Sequence, residues 1–154
     1  MKSMRLAAFI AVLGAAGAAQ AGDAGYLGTW KIVRATVAPW AVPERLADTS
    51  ERTRLMGKTI SIKPHGITGP DPFACPGAHY RMTDYTPGLL FQGAFDEMRS
   101  KDKRVDPGKL AASLGFHGTH IKTLETGCEF DFHFVDPTTA EIGLNDYAYT
   151  LKKQ

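Results

Sequence analysis

Cys128-Glu129-Phe130-Asp131-Phe132-His133-Phe134-Val135 alternates between two kinds of side chain along eight residues. Successive side chains of an extended strand point to opposite faces, so Cys128, Phe130, Phe132 and Phe134 share one face while Glu129, Asp131 and His133 share the other. The phenylalanine face is expected to be core, and the acidic face to meet solvent or a ligand cavity. Residues 119–126 on one side, and 139–144 and 147–152 on the other, repeat the extended pattern. The last two are separated only by Asn145-Asp146, short enough for a tight hairpin. The C-terminal third therefore reads as an antiparallel meander.

Earlier strands are legible in the same way. Residues 29–37 alternate, with Trp30, Ile32 and Arg34 expected on one side and Lys31, Val33 and Ala35 on the other. Residues 58–63 carry Ile60 and Ile62 as an apolar pair, Pro64-His65-Gly66 reads as a turn, and Ile67-Thr68 as the start of a hairpin partner. Residues 69–77 hold three prolines and two glycines, too many for a central strand, and read as a loop. Residues 78–83 return to strand, and Leu89-Leu90-Phe91-Gln92-Gly93 is another short apolar piece. The long charged connection 38–56 has room for one or two helical turns starting at Pro43. The charged run 96–106 is expected to be a solvated loop. The one clear helix is Asp106-Pro107-Gly108-Lys109-Leu110-Ala111-Ala112-Ser113-Leu114-Gly115, with an N-cap acid, a proline in the first turn, Leu110 and Leu114 four apart and a terminal glycine.

Residues 1–21 have the layout of a cleavable signal peptide. Lys2 and Arg5 precede an apolar run, residues 6–16, too short to span a bilayer as an ordinary helix, and Ala19-Gln20-Ala21 matches the small-residue pattern before a cleavage site. The expected domain is residues 22–154, one β-barrel, with no membrane span after signal removal. Loss of Lys2 and Arg5 brings eighteen basic residues to sixteen, against sixteen acidic ones. No basic stripe remains to neutralise a phosphate backbone, so nucleic acid is not an expected partner. The two cysteines, Cys75 and Cys128, read first as a disulfide in an oxidising compartment, with two buried thiols or a metal pair as the alternatives.

Chemistry-bearing clusters are sparse. Cys75-x3-His79, His117-x2-His120 and Asp131-x-His133 have spacings a transition metal could use, but none matches a specific zinc motif. No metal and no cofactor are expected. None of Ser50, Ser61, Ser100 or Ser113 lies in a Gly-x-Ser-x-Gly elbow, and no catalytic residues are assigned. The aromatic supply suits a binding fold. Phe130, Phe132, Phe134, Tyr147 and Tyr149 are the candidate ligand contacts, with plain core as the alternative use of the same rings.

Gly28-Thr29-Trp30 on the first strand, followed by a long connection and a closing basic residue at Lys152 or Lys153, resembles the lipocalin-like members of the calycin superfamily. The chain is also similar to small secreted bacterial proteins that combine a Gly-Thr-Trp start with two cysteines, a likeness that carries no activity with it. The lipocalin resemblance implies an antiparallel barrel, so the expected fold is mainly β, a barrel with the one short helix and the one disulfide read above. It implies structural roles for Gly28 and Trp30 and for the basic side chain, Lys152 or its neighbour, lying over the indole. The expected function is that of a periplasmic or secreted, non-catalytic binding protein for a small apolar ligand. The alternative is an extracytoplasmic protein-binding or inhibitor module that uses the loops at 38–43 and 69–77.

Overall fold

The computed structural model describes residues 24–46 and 49–154; the expected signal peptide, 1–21, lies outside the described residues. The chain is mainly β. Nine antiparallel strands form one sheet curled into a half-barrel: β1 (Gly28–Val37), β2 (Thr59–Lys63), β3 (Gly66–Thr68), β4 (Cys75–Pro76), β5 (Arg81–Tyr85), β6 (Ile121–Glu125), β7 (Phe132–Asp136), β8 (Thr139–Leu144) and β9 (Tyr147–Lys153). Their order across the sheet is β4-β3-β2-β1-β9-β8-β7-β6-β5. The first and last strands in sequence, β1 and β9, are therefore central neighbours. The proline-bearing β4 sits at an edge, where a missing N–H costs no ladder bond.

The inner face gathers one core from every part of the sheet. Trp30, Ile32, Ile60, Ile62, Leu124 and Phe132 meet there, joined by Ala140, Ile142, Tyr149 and Leu151. The Cys75–Cys128 disulfide is present and closes this core by joining the β4 edge to the turn between β6 and β7. Phe73, just before it, is fully buried against Phe130 and Tyr149.

Two departures from simple alternation follow from local geometry. A register shift between Ile32 and Arg34 leaves Val33 unpaired, so Arg34 does not share the face of Trp30 and Ile32. It lies opposite Thr150 on the outer face, as a bulge of one extra residue requires. The extended region expected over 128–135 starts only at Phe132. Gly127 has φ +71°, the Asp131 carboxylate accepts the Thr126 N–H, and the Thr126 hydroxyl bonds the Phe130 carbonyl, which together hold 128–131 as a pinned turn.

The outer face has its own cover. To the expected helix, α3 (Pro107–Ser113), the structure adds α2 (Leu90–Lys101) on this face, while α1 (Ser50–Leu55), in the connection where one or two helical turns are expected, packs Leu55 into the inner core. In α3 the Asp106 carboxylate accepts from the N–H groups of Gly108 and Lys109. Its end is a Schellman turn: Phe116 N–H bonds the Ala111 carbonyl, Gly115 N–H bonds that of Ala112, and Gly115 takes φ +94°. The short apolar piece at 89–93 forms the end of a 3₁₀ turn, Pro87–Leu89, and the start of α2, which also replaces the solvated loop expected at 96–106 as far as Lys101. The surface of α2 is laced with Asp96–Arg99 and Glu97–Lys101 ion pairs, which hide its apolar stripe in a charge-rich sequence. Leu90, Phe91, Phe95, Leu114, Phe116 and Ile121 make a second core between α2, the α3 region and the sheet. Trp40 covers the end of this core, its ring 4.8 Å from that of Phe91 and its indole N–H on the Asn145 carbonyl.

Reducing the Cys75–Cys128 bond releases a loop with a sequence separation of 53 residues. The chain-entropy cost is about 4 kcal/mol. A Cys75→Ser, Cys128→Ser variant is expected to lose stability of that order in urea unfolding and to become insensitive to reductant. Phe132→Ala, which empties a fully buried position, should cost roughly 3 to 5 kcal/mol in the same assay.

Candidate functional site

Strands β6 and β7 pair over only two residues each, Thr123↔His133 and Leu124↔Phe132. Beyond that point β6 stays with β5 as far as Tyr85↔Ile121. Meanwhile β7 stays with β8 and shifts register between Phe134 and Asp136. The two strands part where Ile121 and Lys122 would face Phe134 and Val135. A cavity of about 300 Å³ opens there. Tyr26, Met82 and Phe134 wall it from the inner-core side, and Phe116, Ile121 and Val135 from the helical side.

Its polar groups are His117, His120, Lys122 and Asp136. The two histidines flank Gly118, whose φ of +87° turns the chain between α3 and β6. Lys122 is paired with Asp84, Nζ to carboxylate 3.0 Å. Asp136 accepts from the Thr138 N–H at 2.7 Å and its hydroxyl at 2.8 Å. Burial opposes ionisation of Asp136, yet hydrogen bonds from Thr139 and Thr138 hold its carboxyl below the ordinary value.

Of the five aromatic candidates read from the sequence, Phe134 lines this cavity. Phe130, Phe132, Tyr147 and Tyr149 are packed in the inner core. Of the two candidate basic residues, Lys153 stands over the Trp30 ring, 5.6 Å from its centroid. Lys152 points to the other face and donates to the Thr139 hydroxyl. Strand parity explains the choice, since Trp30 is in register with Lys153, on the same face as Leu151 and Tyr149. Gly28 takes φ +125°, a backbone that favours glycine, and a Cβ there would only touch the Lys153 stem at ordinary contact distance.

A second polar feature crosses the outer face. Thr123, His133, Glu141, Thr150 and Arg34 are in direct register across five strands. His133 was expected on a face open to solvent or a ligand, but it is buried beneath Phe91, ring centroids 4.8 Å apart. The Phe91 backbone N–H can only donate, so His133 Nε2 accepts it at 3.0 Å. The neutral ring then carries its proton on Nδ1, which faces the Thr123 hydroxyl at 2.9 Å. Burial pushes this imidazole down to about 3, and no lone pair is left for base chemistry. Phe91 and Gln92 pay for that contact with left-handed backbones, φ 53° and 56°, at about 1–2 kcal/mol each. Glu141, 2 % exposed, accepts from the Thr150 hydroxyl at 2.7 Å. Burial pushes its carboxyl up to about 7, against the opposing pull of Thr150 and Arg34.

No family description, curated protein or solved structure matches the chain. Among the described residues, no group of three or more metal-ligating side chains is assembled, and no helix is long and apolar enough to cross a membrane.

The two buried groups titrate in opposite senses. Glu141 rises from 4.5 in the free carboxyl to about 7, so its contribution to stability is full below about pH 4.5 and is lost as pH rises through 7. His133 falls from 6.5 to about 3, so its contribution is full above about pH 6.5 and is lost as pH falls toward 3. Glu141→Gln keeps an acceptor for Thr150 and removes the first titration. Relative to wild type it is expected to gain stability on the order of 3 kcal/mol between pH 4 and pH 8, read from urea unfolding at the two pH values. An equal effect of the substitution at both would contradict the buried, raised carboxyl.

Proposed function

We propose that the chain is an exported, non-catalytic binding protein that holds one small, largely apolar ligand in the cleft between β6 and β7. The observation that carries this reading is the cleft itself: strands that could have paired part instead, and the space between them has walls from both cores. Its volume, about 300 Å³, is at the lower end of the range of small-molecule sites. On this reading the ligand lies at the divergence of two strands, and most of the aromatic rings belong to the core.

Three further points support the reading. The buried acid and base of the sheet, Glu141 and His133, are covered, and both nitrogens of the histidine are engaged, so they offer no reactive pair to a substrate. Phe73, the large apolar side chain of the 69–77 loop, is turned into the core, and Trp40 is packed on Phe91. The loops of the protein-binding alternative thus keep their main apolar anchors engaged inside the molecule. Gly28-Thr29-Trp30 with Lys153 over the indole gives the half-barrel a lipocalin-like base. Export follows from the reading of residues 1–21, and the Cys75–Cys128 bond accords with a periplasmic or secreted location.

Native mass spectrometry of the protein recovered from its own extracytoplasmic compartment, without reductant, tests the proposal. The denatured mass should start at Gly22 and be two hydrogens light, and the native spectrum should carry additional non-covalent mass. Val135→Phe, which fills the cleft from its wall, should abolish that mass while the melting temperature stays near the wild-type value. A clean apo spectrum from the wild type, or a retained adduct in Val135→Phe, would contradict the assignment.

A further inference from the structure

We infer that the ligand of the β6–β7 cleft is a small organic acid: a flat apolar body of about one ring bearing a carboxylate that is held by His117 and His120. The inference rests on the cleft being the binding site, and it comes from the inventory of polar groups around the rim.

Among the described residues, the charged groups at the rim have partners within the protein. Asp136 accepts two hydrogen bonds from Thr138, and Lys122 is paired with Asp84. His117 and His120 are different. Both are exposed, both line the cavity, and neither makes a hydrogen bond or ion pair with another described residue. An imidazole in any protonation state offers at least one N–H donor. Each histidine, near one glycine turn, can therefore turn an N–H toward the cleft, and with the Lys122 ammonium nearby the two suit an acceptor with two oxygens. A divalent metal ion finds no assembled site, because no group of three or more His, Cys, Asp or Glu side chains able to hold one is present among the described residues. A phosphate dianion is also a poor match. Among the described residues no guanidinium lines the cleft, and the Lys122 ammonium is shared with Asp84, whereas phosphate recognition draws on several charge-assisted donors. A carboxylate needs less, and two neutral or charged imidazoles supply it.

The walls set the other half of the ligand. Tyr26, Phe116 and Phe134 present rings to the cavity, with Met82, Ile121 and Val135 between them. Ring faces and edges pack best against a flat apolar partner. A volume of about 300 Å³ limits that partner to one ring with a short arm and excludes a long acyl chain.

Phenylacetate and its neutral counterpart phenylacetamide separate the parts of this inference. Each is titrated into the full exported protein, with backbone amide shifts of Phe116, Ile121, Phe134 and Val135 as the readout. Phenylacetate is expected to bind about tenfold tighter or better, as charge-assisted hydrogen bonds imply. A His117→Ala, His120→Ala variant with unchanged melting temperature should bind the two probes equally. Equal affinity of the wild type for both probes would overturn the acid preference and leave the cleft reading standing. An acid preference that survives in the double variant would overturn the role of the histidines. Absence of shifts in the four amides with either probe at millimolar concentration would overturn the cleft as the site together with its ligand.

Discussion

The Cys75–Cys128 disulfide joins β4, one edge of the sheet, to the turn between β6 and β7, next to the strand that forms the other edge. A nine-stranded antiparallel sheet with two free edges could twist open, and its inner face would then lie in water. Once the two ends are tied, the inner rings have a volume to fill, and Phe73 closes it against Phe130 and Tyr149. The same tie holds the β6–β7 turn at one end while the opposite ends of those strands diverge. The cleft is in this sense a product of closure: the sheet curls as far as its cross-link and core require, and the ladder between β6 and β7 stops after two pairs.

Strands β7 to β9 are buried on both faces, an unusual demand on an antiparallel sheet, since most have one face in water. The outer face meets it with a row of polar side chains that satisfy one another across the strands. Thr123 pairs with His133, and Thr150 with Glu141 and Arg34. Sliding any of these strands by one residue would strand a buried imidazole or carboxyl without partners, at a penalty of a few kcal/mol for each. The row therefore fixes register where an apolar pattern alone would not. Phe91 completes it from above, and the absence of a side chain at Gly143 makes room, because a Cβ there would meet the Phe91 ring at 2.8 Å.

Much of this fold could be read from residue order. The alternation in β2, β8, β9 and β1 as far as Ile32, and the Asp106-Pro107 start and Gly115 end of α3, rest on short-range rules that hold here, while the pairing of the cysteines rests on their even number and the expected oxidising compartment. What escaped were features set by distant contacts. The helix α2 has a charged surface and opens on three left-handed residues, so neither periodicity nor a cap announces it. His133 alternates with phenylalanines and reads as a polar face until α2 is placed over it. The choice of Lys153 over Lys152 depends on the register between β1 and β9, which no local pattern states. For the cleft, the strand face points to Phe134, and the His117-Gly118-x-His120 turn reads only as possible metal spacing. Their convergence depends on where the β6–β7 ladder ends.

A crystal structure of the protein recovered from its own extracytoplasmic compartment, with no ligand added, tests the account at its centre. The account predicts that β6 and β7 part after Thr123 and His133, with electron density for a small molecule between Phe116, Ile121, Phe134 and Val135. A ladder that continues through Lys122 and Ile121, with the side chains closed over the space between them, would contradict it.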